Sequence, residues 1–169
     1  MEKAIKELFF STFSDSEGEA EGKVIASLVG ELMSMPPPGD RYVFVASENE
    51  KIVGAIFLTR ITFEPPFEAF LLAPVAVDPA HQGLGIGQLL IRFGLQQLAA
   101  RKVDAVFTYG DPNFYSKTGF QLVKEESIPA PFPLSQPEGW MGVSLQGKPL
   151  PLVCARSECV EALNKPIYW

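Results

Sequence analysis

The chain has 169 residues, 47% of them hydrophobic and 20% charged, which suits one globular domain spanning residues 1–169 with a full core. A net charge of −6 argues against a nucleic-acid surface, which needs clustered Lys and Arg, and no stretch reaches the roughly 18 apolar residues of a membrane span. MEKAIKELFF lacks the apolar core of a signal peptide, and Cys154 and Cys159 match neither a zinc site nor a redox pair, so the expectation is a cytoplasmic protein with two reduced thiols and no metal.

In chain order, residues 5–13 have the composition of a strand, with Leu8, Phe9, Phe10 and Phe13. Residues 14–22 are acidic and contain glycine, so they read as a loop, with Asp15 or Ser16 as candidate caps of a following helix. Residues 24–35 show helical spacing through Val24, Leu28 and Leu32, and Pro36-Pro37-Pro38 ends the pattern. Residues 42–46, 52–63 and 67–77 read as three strands. The turns between them, at 47–50 and at Glu64-Pro65-Pro66, are short enough for an antiparallel meander. Residues 85–101 predict a helix that is apolar around most of its circumference, hence largely buried, with Gln88, Arg92 and Gln96 as one polar stripe. Gly94 inside it implies close approach to a neighbouring backbone. A strand at 103–109, a turn at Gly110-Asp111-Pro112 and short helical turns at 113–118 follow, then strands at 120–124 and 140–145. Four prolines make 128–139 a stiff surface loop of a length that suits binding, and 158–169 predicts a short helix with an aromatic end. The class is α/β: one mixed, mostly antiparallel sheet flanked by helices.

The stretch 71–90, LLAPVAVDPAHQGLGIGQLL, ends a strand and opens a helix with glycines at 83, 85 and 87. Such a turn lets backbone N–H groups surround an anion, and the helix start adds about half a positive charge. Gln88 and Leu89 stand where a P-loop requires Lys-Ser/Thr, and the G-x-G-x-G spacing departs from the Rossmann G-x-G-x-x-G. Pro74 interrupts the strand. Either it marks a bulge that frees the amides of Val75 and Val77 for an extended ligand, or it is an edge-strand proline without function.

VAVDPAHQGLGIGQLL resembles the acyl-CoA-binding segment of the GNAT-type N-acetyltransferase superfamily; Gln82, Gly85 and Gly87 match its Q/R-x-x-G-x-G/A signature. GDPNFYSKTGF resembles the second family segment, in which a tyrosine precedes Gly-Phe; Tyr115, Gly119 and Phe120 fill that pattern. The Gly-Asp-Pro lead-in and C-terminal extension are most similar to the YhbS-like branch. The resemblance implies a splayed central strand and acetyl-CoA as co-substrate. Val75, Ala76 and Val77 would pair with pantetheine, with the Val75 amide facing the thioester oxygen. Gln82, Gly83, Leu84, Gly85, Ile86, Gly87 and Gln88 would hold pyrophosphate, and Tyr115 would lie near the sulfur. Many relatives carry asparagine where this chain has Thr108, and Asn113 is the candidate replacement.

Amide formation needs a neutral amine, a stabilised oxyanion and a protonated thiolate. An alkyl amine with pKa near 10.4 is neutral about once in 2,500 molecules at pH 7, a penalty of ~4.6 kcal/mol. An unperturbed phenol could donate to a thiolate at ~2 kcal/mol uphill, so Tyr115 is the candidate general acid, against a packing role in a short helix. His81, the one histidine, is read as structural, and Glu64 and Glu68 are weighed as bases but none is assigned. Residues 33–38 and 128–139, with Phe132 and Trp140, are the expected acceptor walls. The reading is an N-acyltransferase acting on an amine, small molecule or protein, as monomer or homodimer. A CoA-binding sensor or scaffold without turnover is the alternative.

Overall fold

Residues 2–34 form a helical hairpin, α1 (Glu2–Glu17) and α2 (Glu19–Ser34), broken at Gly18. The computed structural model describes residues 1–34 and 36–169, so the expected end of the second helix at Met35 lies outside the described residues. The strand at 5–13 and the loop at 14–22 are thereby corrected. Ile5, Leu8, Phe9 and Thr12 repeat at helical spacing and are the buried positions of α1, so periodicity overrides aromatic content. Neither Asp15 nor Ser16 is a cap, because both lie inside α1. Each fully buried side chain such as Ile5 or Phe9 contributes about 1.5–3 kcal/mol to docking the hairpin.

The sheet follows the expected meander. β1 (Arg41–Glu48), β2 (Lys51–Thr62) and β3 (Ala69–Val77) pair antiparallel in sequence, and Asn49 and Glu50 turn the first hairpin with φ of 49° and 64°. α3 (Ile86–Ala100) crosses over to β4 (Ala105–Tyr109), which lies parallel to β3. α4 (Pro112–Tyr115) then leads to β5 (Gln121–Leu122) and β6 (Trp140–Ser144), and β7 (Glu158–Cys159) pairs the last residues of β2. The order is β1-β2-β3-β4-β6-β5, and β3–β4 is its one parallel pair. The α1–α2 hairpin covers one face through the cluster of Phe9, Val29, Phe57 and Trp140; α3 covers the other through Leu90, Leu98 and Phe70.

Four further expectations change. α3 buries one face only: Leu90, Ile91, Leu95 and Leu98 pack inward, while Leu89 and Phe93 stay exposed beside the polar stripe. Gly94 is approached by side chains and not by backbone, since a Cβ there would lie 3.1 Å from the Cδ1 atoms of Ile56 and Leu58. The loop 128–139 is anchored: Ile128 and Ala130 are buried, and the Trp140 indole N–H donates to the Ile128 carbonyl at 2.8 Å. The tail carries β7 and two short 3-10 turns, Glu161–Leu163 and Pro166–Tyr168, in place of a helix. Both cysteines are free thiols, and among the described residues no helix is long and apolar enough to cross a membrane.

Candidate active site

The site begins at an extra residue in β3. Leu58 pairs with Leu72 but Ile56 pairs with Val75, so Ala73 and Pro74 together oppose Phe57: a bulge in a central strand. The edge-strand reading of Pro74 is excluded. The bulge swaps the faces of the strand. Phe70 and Leu72 belong to the α3-side core, as does Val75, whereas Leu71 and Ala76 belong to the α1–α2 side. Backbone directions swap as well. The Leu72 carbonyl takes the Thr108 hydroxyl from β4 at 2.8 Å. Past the bulge, Ala76 pairs with Ala55, and the Asp78 N–H donates to Val53, both on β2. Val75 and Val77 therefore point their polar groups away from β2, toward the β4 side. There they meet no strand, because the β3–β4 ladder ends at Leu72 and Thr108. The Val77 carbonyl is capped instead by the Gln82 amide at 3.0 Å and the Thr12 hydroxyl at 3.4 Å.

The glycine loop is braced from beneath. Asp78 accepts from the Ala80 N–H at 2.9 Å and from Lys51 Nζ at 2.7 Å, which together hold its carboxyl down at about 2. The His81 Nε2–H donates to Glu48 Oε2 at 2.9 Å. Its Nδ1 lies 3.4 Å from Asp78 Oδ1, near enough for charge attraction but poorly aligned for a hydrogen bond. Glu48 first and Asp78 second raise its pKa, so the structural reading of His81 fits, and it ties the β1–β2 hairpin to the loop. Gly83 and Gly85 have φ of 79° and 82° with open space where a Cβ would stand, so their requirement is conformational. Gly85 is the N-cap of α3, and the N–H groups of Ile86, Gly87 and Gln88 open onto the same cleft. At Gly87 the reason differs from anion access: a Cβ would lie 3.1 Å from the Phe114 ring.

Tyr115 stands at the junction of strand and loop. Asp111 caps α4 by accepting from the Asn113 N–H at 2.9 Å, and Phe114 and Phe120 flank the tyrosine edge-on at 5.0 and 5.8 Å. Gly110 makes room for the ring, since a Cβ there would lie 2.7 Å from Tyr115 Cε2. The residue keeps some exposure, but its hydroxyl end is deep. Burial pushes the phenol up to about 12, opposed by hydrogen bonding with Thr108 and aided by Asp111. Thr108 is buried, and its hydroxyl donates to the Leu72 carbonyl at the last rung of the β3–β4 ladder.

These parts share one cleft of about 890 Å³, within the usual range for ligand sites. It takes in Val75 to Val77, Gln82, Gly83, Gly85 to Gln88 and Tyr115. Leu84 is exposed and off the lining, and Asn113 is likewise exposed outside it. The acceptor walls are corrected. Neither the described part of 33–38 nor 128–139 lines the cleft; Trp140 is fully buried in the core and Phe132 packs against it. The far wall comes from Thr12, Phe13, Ser16 and Glu17 of α1 and from Leu163, Tyr168 and Trp169 of the tail. Reading residues 5–13 as a strand hid the α1 contribution; positions 12, 13, 16 and 17 share a face only on a helix. Glu64 and Glu68 are exposed outside the cleft, and Glu68 pairs with Arg60 at 2.7 Å.

Residues 39–122 match the family model of the GNAT acetyltransferase domain. The chain is 33% identical over 138 residues to the uncharacterized N-acetyltransferase YjhQ of Escherichia coli K12, covering 78% of this chain and 74% of that one. It belongs to the GNAT acetyltransferase family. The fold agrees with solved members. YhbS of Escherichia coli, solved in complex with CoA, superposes with a TM-score of 0.75 over 98% of this chain and 87% of that one, at 24% identity. A GNAT acetyltransferase of Brucella melitensis, solved with acetyl-CoA, gives 0.69 over 96% and 91%, at 22% identity. The YhbS-like resemblance read from residues 71–120 is therefore borne out, and so is the mixed sheet flanked by helices.

Proposed function

We propose that this GNAT acetyltransferase transfers acetyl from acetyl-CoA to an amine by direct attack, with Tyr115 as general acid and the Val75 N–H as oxyanion donor. The observation that carries the proposal is continuity. The unpaired edge at Val75 and Val77, the N–H groups opening α3, and the Tyr115 ring line one cleft without interruption. An extended pantetheine fits that edge as an added strand, and a pyrophosphate fits the α3 N-terminus. The CoA and acetyl-CoA held by the two solved relatives support the ligand class.

On this reading each group has one task. The Val75 N–H stabilises the developing oxyanion, worth ~3 kcal/mol when well aimed. Tyr115 delivers its proton to sulfur as the C–S bond breaks and regains one from the acylated nitrogen. Phe114 and Phe120 fix the ring so that its hydroxyl stays in the cleft.

The test has two stages. Thermal unfolding is followed with acetyl-CoA, CoA, ATP and NAD; a ligand at a hundred times its Kd stabilises by about 2.7 kcal/mol. Stabilisation by the first two alone is expected, and no shift with acetyl-CoA at millimolar concentration sinks the proposal. Free thiol release with an amine panel then reads turnover. Binding without release would leave a CoA sensor in its place.

A further inference from the structure

The two ends of the cleft differ in charge and in chemistry. Its cationic side chains are His81 and Lys117. Neither belongs to α1 or the tail: His81 lies in the turn before the glycine loop, bound to Glu48, and Lys117 follows Tyr115, its carbonyl accepting from Arg92 of α3 at 2.8 Å. Of the cleft's two carboxylates, Asp111 is engaged in capping α4 beside Tyr115, and Glu17 stands in the last turn of α1. Among the described residues, the α1–tail end has no cation on its lining. Its floor is apolar and fixed. Leu28, Leu71, Leu163 and Trp169 are all at most 6% exposed. Trp169 stacks on Tyr109 at 6.1 Å and 14°, and its indole N–H is held by the Leu163 carbonyl at 3.0 Å. Lys165 pairs with Glu31 of α2 at 3.1 Å, which pins the tail against the helices.

We infer that the acceptor is a primary monoamine carried on an aromatic or aliphatic body, with Glu17 as the residue that selects its ammonium. This rests on the acyl-transfer reading above. An apolar floor accepts an aromatic or alkyl group by burying it against Leu28, Leu71, Leu163 and the Trp169 rim. A single carboxylate matches a single ammonium. A polyamine would bring further cations that find no partner here, and an amino acid would bring a carboxylate to an end lined by no cation; either is penalised by desolvation without compensation. The transfer balances on these terms. The bound ammonium releases one proton to water, the amine nitrogen forms the C–N bond as the C–S bond breaks, and the second proton replaces the one Tyr115 gave to sulfur. The products are the N-acetyl amine, CoA thiol and one proton.

The test reads binding first, because binding does not depend on turnover. Trp169 lies in the wall, so tryptophan fluorescence of the CoA-saturated protein is titrated with 2-phenylethylamine, L-phenylalanine and spermidine. The first shares its ring and amine with the second and lacks only the carboxylate. 2-Phenylethylamine is expected to saturate with a Kd at least about tenfold below the other two, and Glu17→Gln to weaken it about tenfold. The acetyl-CoA thermal shift should be unaffected by Glu17→Gln. Glu17→Lys should reverse the order between 2-phenylethylamine and L-phenylalanine. Equal or inverted affinities in the wild type, no saturation by 2-phenylethylamine at millimolar concentration, or no response to either Glu17 variant overturns the inference. The acyl-transfer reading fails by a separate signature, the missing acetyl-CoA shift.

Discussion

Tyr115→Phe removes one hydroxyl and keeps the ring between Phe114 and Phe120, so it isolates the proposed acid. Burial makes this acid weaker than a free phenol. The gap between about 12 for Tyr115 and ~8.5 for a free thiol corresponds to ~4.8 kcal/mol uphill for a complete transfer to relaxed thiolate. That exceeds the ~2 kcal/mol of an unperturbed phenol, so a stepwise transfer is disfavoured. On the proposed reading, proton movement accompanies C–S cleavage. General acids in this position are worth about a hundred- to ten-thousandfold. The expectation is a fall of that size in kcat, with acetyl-CoA affinity retained and the ring still packed between Phe114 and Phe120. The assay is steady-state thiol release from about pH 6 to 10, where Tyr115 stays protonated in the wild type and contributes no descending limb. Turnover within about threefold of wild type across that range would refute the assignment.

Gly110→Ala should lower kcat by about a hundredfold with little change in CoA affinity, because a Cβ 2.7 Å from Cε2 must move the tyrosine ring; unchanged kcat would mean the ring position is immaterial. Gly85→Ala places a side chain at φ of 82° and should cost about 1–2 kcal/mol in urea unfolding, together with a reduced acetyl-CoA shift. No loss of stability there would deny that the left-handed N-cap is needed. Asp78→Asn keeps a capping side chain but removes the charge that pairs with Lys51. The Asp78 pKa is lowered on folding to about 2, so its stabilisation is present above the unfolded value near 3.8 and disappears as pH falls toward 2. The stability difference between wild type and Asp78→Asn should follow that window, and a difference that grows toward acid would reverse the sign of the argument.

Most of the sheet could be read from the chain because its strands are long, β-branched and separated by turn residues. Pro74 and the glycines at 83 and 85 carry backbone constraints that no other residue type satisfies, so that half of the cleft was legible too. The amine side was not. Phe9 and Phe10 favour strands, and the helical spacing of Ile5, Leu8, Phe9 and Thr12, all buried against the sheet, settles the segment as a helix. Once α1 is wrong, Phe13 and Glu17 lose their common face. Trp169 is invisible for another reason. Its partners Tyr109 and Leu163 are brought to it by the return of the tail beside β2, and no local spacing encodes that contact. The proline-rich loop misleads in the opposite sense. Its prolines read as surface stiffness, but Pro129 accepts from the Ser157 hydroxyl and Ile128 from Trp140, so the loop fastens the tail to the core.

The bulge decides which end of the sheet does chemistry. With strict alternation, the face and edge directions set by Leu72 would continue, and the polar groups of Val75 and Val77 would point to β2. One added residue turns them to the side where β4 has already left the ladder. Strand β4 leaves because it must still reach β6 at Trp140, whose indole is locked to Ile128 in the core. The opening is therefore held by two separate constraints, a proline that cannot donate on one side and a buried tryptophan on the other. Neither touches the amine. On the proposed reading the sheet supplies the edge for the thioester, while α1 and the tail, which pack on the opposite face from α3, form the wall that faces the acceptor. If Glu17 selects the amine as proposed, acceptor selectivity changes through α1 and the tail without disturbing the strand geometry of β3.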